Sequence, residues 1–102
     1  MKPAIPTSFK LGAHTWRVRM LKSIVLDEAD CFGNCDTNKQ IIAISLNVGG
    51  KPTSYDQQFA TFIHEFMHAA MHTLGMEDNE QLAAGMEQMF LQLFKTGRWK
   101  KS

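Results

Sequence analysis

The sequence predicts a single α+β domain, residues 1–102, in which a small, mostly antiparallel β-sheet precedes an antiparallel pair of helices. Before residue 50, short segments alternate between apolar and polar residues and are separated by turn-forming residues, which is the pattern of strands. After residue 53, apolar residues recur every three or four positions over two longer segments, which is the pattern of amphipathic helices. The order of the two patterns places the sheet first and the helices second.

The first strands are predicted at residues 9–11 and 15–21. Trp16 and Val18 alternate there with charged residues, so one face of the pair is expected to point inward. Turn-forming residues at 12–14 separate the two segments, which makes them a hairpin.

A second pair of strands is predicted at residues 31–35 and 40–46. Residues 36–39 join them and tolerate turn geometry, while the apolar residues of 40–46 suit a strand that is buried on at least one face. Cys31 and Cys35 fall on one face of the first strand of this pair. Because the chain has only two cysteines, we expect ordinary thiols rather than a disulfide or a metal-binding pair.

The first helix is predicted to begin near Tyr55 and to end at Gly75. Ser54 and Gln57 have the spacing of a capping box, and glycine is common just beyond a helix C-terminus. A second helix follows from about Glu80 to Lys95. Its apolar residues form one stripe and its Gln and Lys residues face water; the stripe consists of Leu82, Met86, Met89, Phe90 and Leu93.

The first helix contains the stretch His64-Glu65-Phe66-Met67-His68. Residues four apart lie one turn apart on the same helix face, so the two imidazoles can bind one zinc ion while Glu65 reaches toward the metal-bound water. At about 100° per residue, the histidines also lie on a different face from the apolar residues. This stretch predicts a zinc hydrolase. His72 follows one turn later but has rotated away, which is more typical of a neighbour of the site than of a ligand.

A catalytic zinc site usually has three protein ligands and one open position. Glu80 and Glu87 are seven residues apart, so both lie on the side of the second helix that could face the histidines. A tight helix hairpin would bring Glu87 level with the motif, whereas helices that diverge or cross near their link would favour Glu80. Helix geometry leaves both open, and the full set of candidates after the motif is Glu77, Asp78, Glu80 and Glu87.

The motif, followed by a helix that opens Asn79-Glu80-Gln81-Leu82-Ala83, resembles a minimal gluzincin, the zincin class with a Glu as third ligand. More narrowly, the chain resembles the small phage-encoded zincin-like metallopeptidases related to the ImmA/IrrE and SprT-like groups. In the ImmA/IrrE group the ligand Glu opens a Glu-x-x-Ala-x-x-Phe pattern, which residues 80–86 match except that Met86 replaces the aromatic residue. The resemblance implies Glu80 as the third ligand, with Glu87 as the alternative.

The resemblance also implies hydrolysis of peptide bonds in a protein or peptide substrate, with Zn²⁺ as cofactor and Glu65 as general base. Substrates of zincins commonly lie along an edge strand beside the motif helix, and residues 40–46 are the candidate for that strand. The alternative is a catalytically silent zinc-binding module that binds a regulatory protein. Candidates for the residue that stabilises the oxyanion are His72, Tyr55 and His14.

Charge and hydropathy favour neither a nucleic-acid partner nor a membrane. The chain has 11 Lys and Arg against 10 Asp and Glu, a formal net charge of +1, which gives no electrostatic reason to bind a polyanion. The longest apolar run, residues 41–44, has the length of a strand and not of a membrane span. We therefore expect a cytoplasmic protein, in the host cell if a phage encodes it.

Overall fold

A computed structural model describes residues 4–98 and has the α+β order that the sequence predicts, with strands followed by two helices. Its elements are β1 (Ser8–Leu11), β2 (His14–Leu21), β3 (Ile24–Leu26), β4 (Ala29–Cys31), β5 (Gly33–Asp36), β6 (Ile41–Ser45), β7 (Asn47–Val48), β8 (Lys51–Pro52), α1 (Tyr55–Thr73) and α2 (Glu80–Thr96).

The main sheet has four strands in the order β1-β2-β6-β5. The two predicted hairpins are confirmed, because β1 pairs antiparallel with β2 and β5 pairs antiparallel with β6. The sequence did not indicate how the hairpins join: β2 and β6 are parallel, with Arg17 opposite Ile41 and Leu21 opposite Ser45. The chain between them therefore has to return to the starting end of β2 before β6 begins.

Two small antiparallel ribbons, β3–β4 and β7–β8, flank the main sheet in sequence. Each is closed by a two-residue loop in which both residues have positive φ, as a type I′ turn requires. The loops are Asp27-Glu28, with φ of 51° and 65°, and Gly49-Gly50, with φ of 61° and 76°.

The prediction that residues 40–46 form the edge strand beside the first helix is wrong. Strand β6 lies between β2 and β5, and its residues Ile42 and Ile44 are completely buried. Its strongly apolar sequence suits this central position, because a central strand is covered on more sides than an edge strand. Of the two edge strands, β5 is the one that lies against Glu65 of the motif.

The core lies between one face of the main sheet and α1. Trp16 of β2 and the two buried isoleucines of β6 pack against Phe59 and Phe62 of α1. Side chains of this size each stabilise the fold by about 1.5–3 kcal/mol when fully buried. This packing fixes the rotation of α1 relative to the sheet, and therefore fixes which side of α1 carries the histidines.

Both ends of α1 form as the sequence predicts. The Ser54 side chain accepts a hydrogen bond from the Gln57 N–H, and the Gln57 side chain accepts one from the Ser54 N–H, which completes the capping box. After the last helical residue, Thr73, Gly75 has φ of 71°. The N–H groups of Gly75 and Met76 donate to carbonyls of the last turn, which is the Schellman arrangement.

Helix α2 packs on α1 in the predicted antiparallel sense, but through a different face from the predicted one. Glu80 at its start contacts His68, whereas Lys95 at its end forms an ion pair of 2.7 Å with Asp56 at the start of α1. The residues of α2 that face α1 and the core are Ala83, Phe90, Leu91 and Phe94. Apart from Phe90, the predicted stripe points outward, with Leu82, Met89 and Leu93 exposed and Met86 half-buried.

Within residues 4–98, neither helix combines the length and the apolar character that crossing a membrane requires.

Candidate metal centre

Helix α1 presents His64 and His68 side by side, one turn apart. Their side chains are 20% and 14% exposed, and their Nε2 atoms lie 3.3 Å apart. Two nitrogens that each lie about 2.0–2.1 Å from one tetrahedral ion are separated by about 3.3 Å. The two Nε2 atoms are therefore spaced as ligands of a single ion would be.

Glu80 approaches the same two atoms from α2. Its Oε1 atom lies 2.8 Å from His64 Nε2 and 2.5 Å from His68 Nε2. Its place is set by the start of α2, where the Asn79 side chain accepts a hydrogen bond from the Leu82 N–H and makes Glu80 the first helical residue. One ligand atom each from His64, His68 and Glu80 lie within 4.8 Å of one another, so this group could hold a metal ion.

The opposite ring nitrogen of each histidine faces another carboxylate. His64 Nδ1 lies 2.9 Å from Glu87 Oε1, and His68 Nδ1 lies 3.3 Å from Asp78 Oδ1. A carboxylate that accepts the Nδ1 proton fixes the ring and leaves Nε2 free to bind a metal. The two candidates for the third ligand thus contact opposite edges of the His64 ring: Glu80 faces the cluster and Glu87 lies behind it.

In the metal-free protein, burial and hydrogen bonding shift the pKa values of His64 and Glu80 in opposite directions. Burial favours the neutral His64 ring, but hydrogen bonds to Glu80 and Glu87 outweigh it and raise the pKa of His64. Partial burial acts to raise the pKa of Glu80, yet its hydrogen bonds to His64 and His68 lower it. Protons on His64 therefore compete with a metal ion for the site.

Glu65 lies next to the cluster on the wall of a cleft of about 500 Å³. Burial raises the pKa of Glu65, although the nearby histidines act in the opposite direction. The cleft lies between α1 and α2 and reaches the start of β5. The cleft exposes His64, Glu65 and Glu87 at one side, and its apolar wall is formed by Phe32, Ala60 and Leu91.

Gly33 lets strand β5 approach α1 at this cleft. A Cβ atom at residue 33 would come closer than 3.0 Å to Thr61 Cγ2 and within 3.3 Å of Glu65 Cγ. Real Cβ atoms essentially never come within 3.0 Å of another atom, so glycine at residue 33 allows this edge strand to lie directly against Thr61 and Glu65.

None of the three residues predicted to stabilise an oxyanion lines this cleft. His14 and His72 are exposed, and Tyr55 packs against the core from the start of α1. The uncharged polar side chains that do line the cleft are Gln57, Thr61 and Gln88. Helix periodicity could have found two of them, because Gln57 and Thr61 precede Glu65 by two turns and one turn on the same side of α1.

Cys31 and Cys35 are both free thiols, as predicted, but they do not share one face of a single strand: Cys31 ends β4, and Cys35 lies in β5. Cys35 packs against the core. Burial, together with the charge of Glu65, raises its pKa from 9.0 to about 12. Neither cysteine contributes to the metal-binding group.

The chain has no match among protein-family models, curated proteins or solved structures. The function of the chain therefore has to be inferred from the residues of this site.

Proposed function

We propose that the protein is a zinc-dependent metallopeptidase of the minimal gluzincin type, in which His64, His68 and Glu80 hold the zinc ion. Two imidazole nitrogens and one carboxylate oxygen are the donor set of a common class of catalytic zinc site. Glu87 and Asp78 accept the Nδ1 protons and keep both rings aimed at the ion. Glu80 is the third ligand in this proposal, and Glu87 is a positioning residue.

The observation that supports catalysis most strongly is the position of Glu65. Its carboxylate is half-buried, belongs to none of the pairs that hold the histidines, and lines an open cleft that also exposes His64. A purely structural zinc site is closed by four protein ligands and has no role for such a group.

Zinc bound at this site would supply a Lewis acid that polarises a substrate carbonyl and lowers the pKa of a water molecule toward neutrality. Glu65 would take a proton from the attacking water and later give it to the leaving amine. A general base works best when its pKa lies near the working pH, and the burial that raises the pKa of Glu65 acts in that direction.

Strand β5 offers the edge along which an extended substrate would pair. The Ser45 N–H donates to the Phe32 carbonyl at 2.8 Å, which makes Phe32 and Ser45 a hydrogen-bonded pair. Hydrogen-bonded and non-hydrogen-bonded pairs alternate in an antiparallel ladder, so the peptide groups of Gly33 and Cys35 point away from β6. A substrate strand that binds them would pass beside Glu65.

The test compares metal content with peptide cleavage in wild type and Glu65→Gln, using elemental analysis and a degenerate peptide library. We expect Glu65→Gln to retain zinc and to lose about 10²–10⁴-fold in cleavage rate. Glu77→Gln is the matched control, since it makes the same change at an exposed carboxylate and should leave both measurements unchanged. If Glu65→Gln cleaves as fast as wild type with zinc bound, the enzymatic proposal fails, and zinc binding without cleavage would support the silent binding module.

A further inference from the structure

Helix α2 has an apolar face that nothing covers within residues 4–98. Leu82, Met89 and Leu93 are 38%, 65% and 44% exposed, and Met86 lies between them on the same side of the helix. A row of apolar residues on an exposed helix face is characteristic of a surface that binds another helix.

The same side of α2 carries no charge. At about 100° per residue, the charged residues Glu80, Glu87 and Lys95 all fall on the half of the helix opposite Leu82 and Met89. Gly85 borders the apolar row, and nothing lies within 4 Å of the position that its Cβ would occupy. Glycine destabilises a helix interior relative to alanine, and no neighbour in the described part of the chain requires it here.

Gly85 instead opens a groove in this surface. The groove has a volume of about 320 Å³, and its walls include Leu82, Met86 and Met89. A side chain from a second helix could enter it as knobs enter holes in packed helix pairs. A second helix packed in this groove would therefore explain why residue 85 is a glycine.

The spacing of the apolar row is compatible with a second copy of the same helix. Leu82, Met86, Met89 and Leu93 are separated by four, three and four positions, an order that reads the same in both directions. A two-fold axis midway along the row superposes it on itself, with Leu82 opposite Leu93 of the second copy and Met86 opposite Met89. Such self-complementarity is the requirement of a symmetric homodimer interface.

Charge at the two ends of α2 selects the antiparallel arrangement. Glu77 precedes the helix and Arg98 follows it, and both residues are exposed. Antiparallel pairing places the acidic end of one copy beside the basic end of the other and also opposes the two helix dipoles. Parallel pairing would bring like charges together.

We propose that two copies of this chain associate through α2 in an antiparallel, two-fold symmetric contact formed by Leu82, Met86, Met89 and Leu93. The metal-binding group and the cleft lie toward α1, so the contact leaves them accessible. A single helix pair buries less than the roughly 800 Å² per partner of a standard interface. The dimer is therefore expected to be reversible and dependent on concentration.

Sedimentation velocity of the full chain from about 1 µM to about 1 mM covers the range in which such association is measured. We expect wild type to change from monomer to dimer within this range. Met89→Lys places a charge in the contact twice because of the symmetry, so the dissociation constant should rise by about a hundredfold. Ala84→Lys is the control, since it adds the same charge on the opposite side of α2 and should leave the dimer intact.

A charge exchange tests the antiparallel register. Leu82→Lys and Leu93→Glu should each weaken the dimer when studied alone, and an equimolar mixture should restore it, because residue 82 of one copy faces residue 93 of the other. Circular dichroism checks that each variant keeps its helices. Wild type that stays monomeric at every concentration, or a mixture without recovery, overturns the proposal.

Discussion

Replacement of Gly33 by Ala tests how closely strand β5 must approach helix α1. The added Cβ would lie closer than 3.0 Å to Thr61 Cγ2, whereas ordinary contact begins at 3.4 Å, so the strand and the helix must separate by more than 0.4 Å. Thr61 is β-branched and 9% exposed, so it cannot rotate away easily. Overpacking of this kind costs about 1–3 kcal/mol, and each kcal/mol lowers the melting temperature of a domain this size by roughly 4–8 °C.

Thermal unfolding of four proteins separates this collision from other effects: wild type, Gly33→Ala, Thr61→Ser and the double variant. Thr61→Ser removes the methyl group that the new Cβ at residue 33 would meet but keeps the hydroxyl. The Ala43 carbonyl oxygen, 3.0 Å from the new Cβ, remains, so the double variant should recover part of the lost stability, with a coupling of about 0.5–3 kcal/mol. Gly85→Ala is the control, measured at a concentration too low for dimers to form. Its new Cβ meets nothing within 4 Å, so this substitution should stabilise α2. A Gly33→Ala protein as stable as wild type, or a double variant without recovery, would refute the close approach.

Three further predictions concern the metal site and the buried thiol. Glu87→Ala should lower zinc affinity by about 10–100-fold, as expected for a residue that positions a ligand, and Glu80→Ala should lower it by more. Competition with a chromophoric chelator measures both affinities. If Glu87→Ala has the larger effect, Glu87 is the ligand and Glu80 the positioning residue. Zinc affinity should fall as the pH drops through the raised pKa of His64, since the metal needs the neutral ring. The metal-free fold shows the opposite dependence: the ion pairs of protonated His64 stabilise it fully below about pH 6.5, and this stabilisation is lost as the pH rises through the folded-state pKa of His64. Affinity that is constant between pH 6 and 8 would contradict this. In Cys31→Ser, the remaining thiol, Cys35, should react with a disulfide reagent at pH 8 about 30-fold more slowly than an unperturbed cysteine, because a roughly thousandfold loss of thiolate is partly offset by the greater nucleophilicity of a thiolate of high pKa. An ordinary rate would show that it is not buried.

The features that the sequence predicted correctly depend on a few neighbouring residues. The capping box at Ser54, the end of α1 near Gly75 and the pairing of β1 with β2 are all set within a short segment. The spacing that puts His64 and His68 on one helix face is equally local. Such features follow from backbone geometry and need no knowledge of the rest of the fold.

The features that could not be predicted depend on how elements meet. Helix α2 has two apolar rows, and periodicity cannot choose between them. Ala83, which is completely buried, allows close contact with α1, and this choice turns Glu80 and Glu87 toward His64 together. The parallel pairing of β2 with β6 puts β6 inside the sheet and leaves β5 at an edge, and it likewise depends on packing between distant segments.

The parallel pair at the centre of the sheet also bears on the order in which the chain folds. Arg17 and Ile41 are 24 positions apart and must meet before β6 is fixed, whereas the short link between α1 and α2 needs only a local hairpin. Contacts between distant residues form late because loop closure has to come first. The three groups that could hold a metal ion all belong to the helix hairpin, but the cleft beside Glu65 also needs β5. Pulsed hydrogen exchange during refolding should therefore show the helices protected before the sheet, so that metal capture can precede the assembly of the cleft.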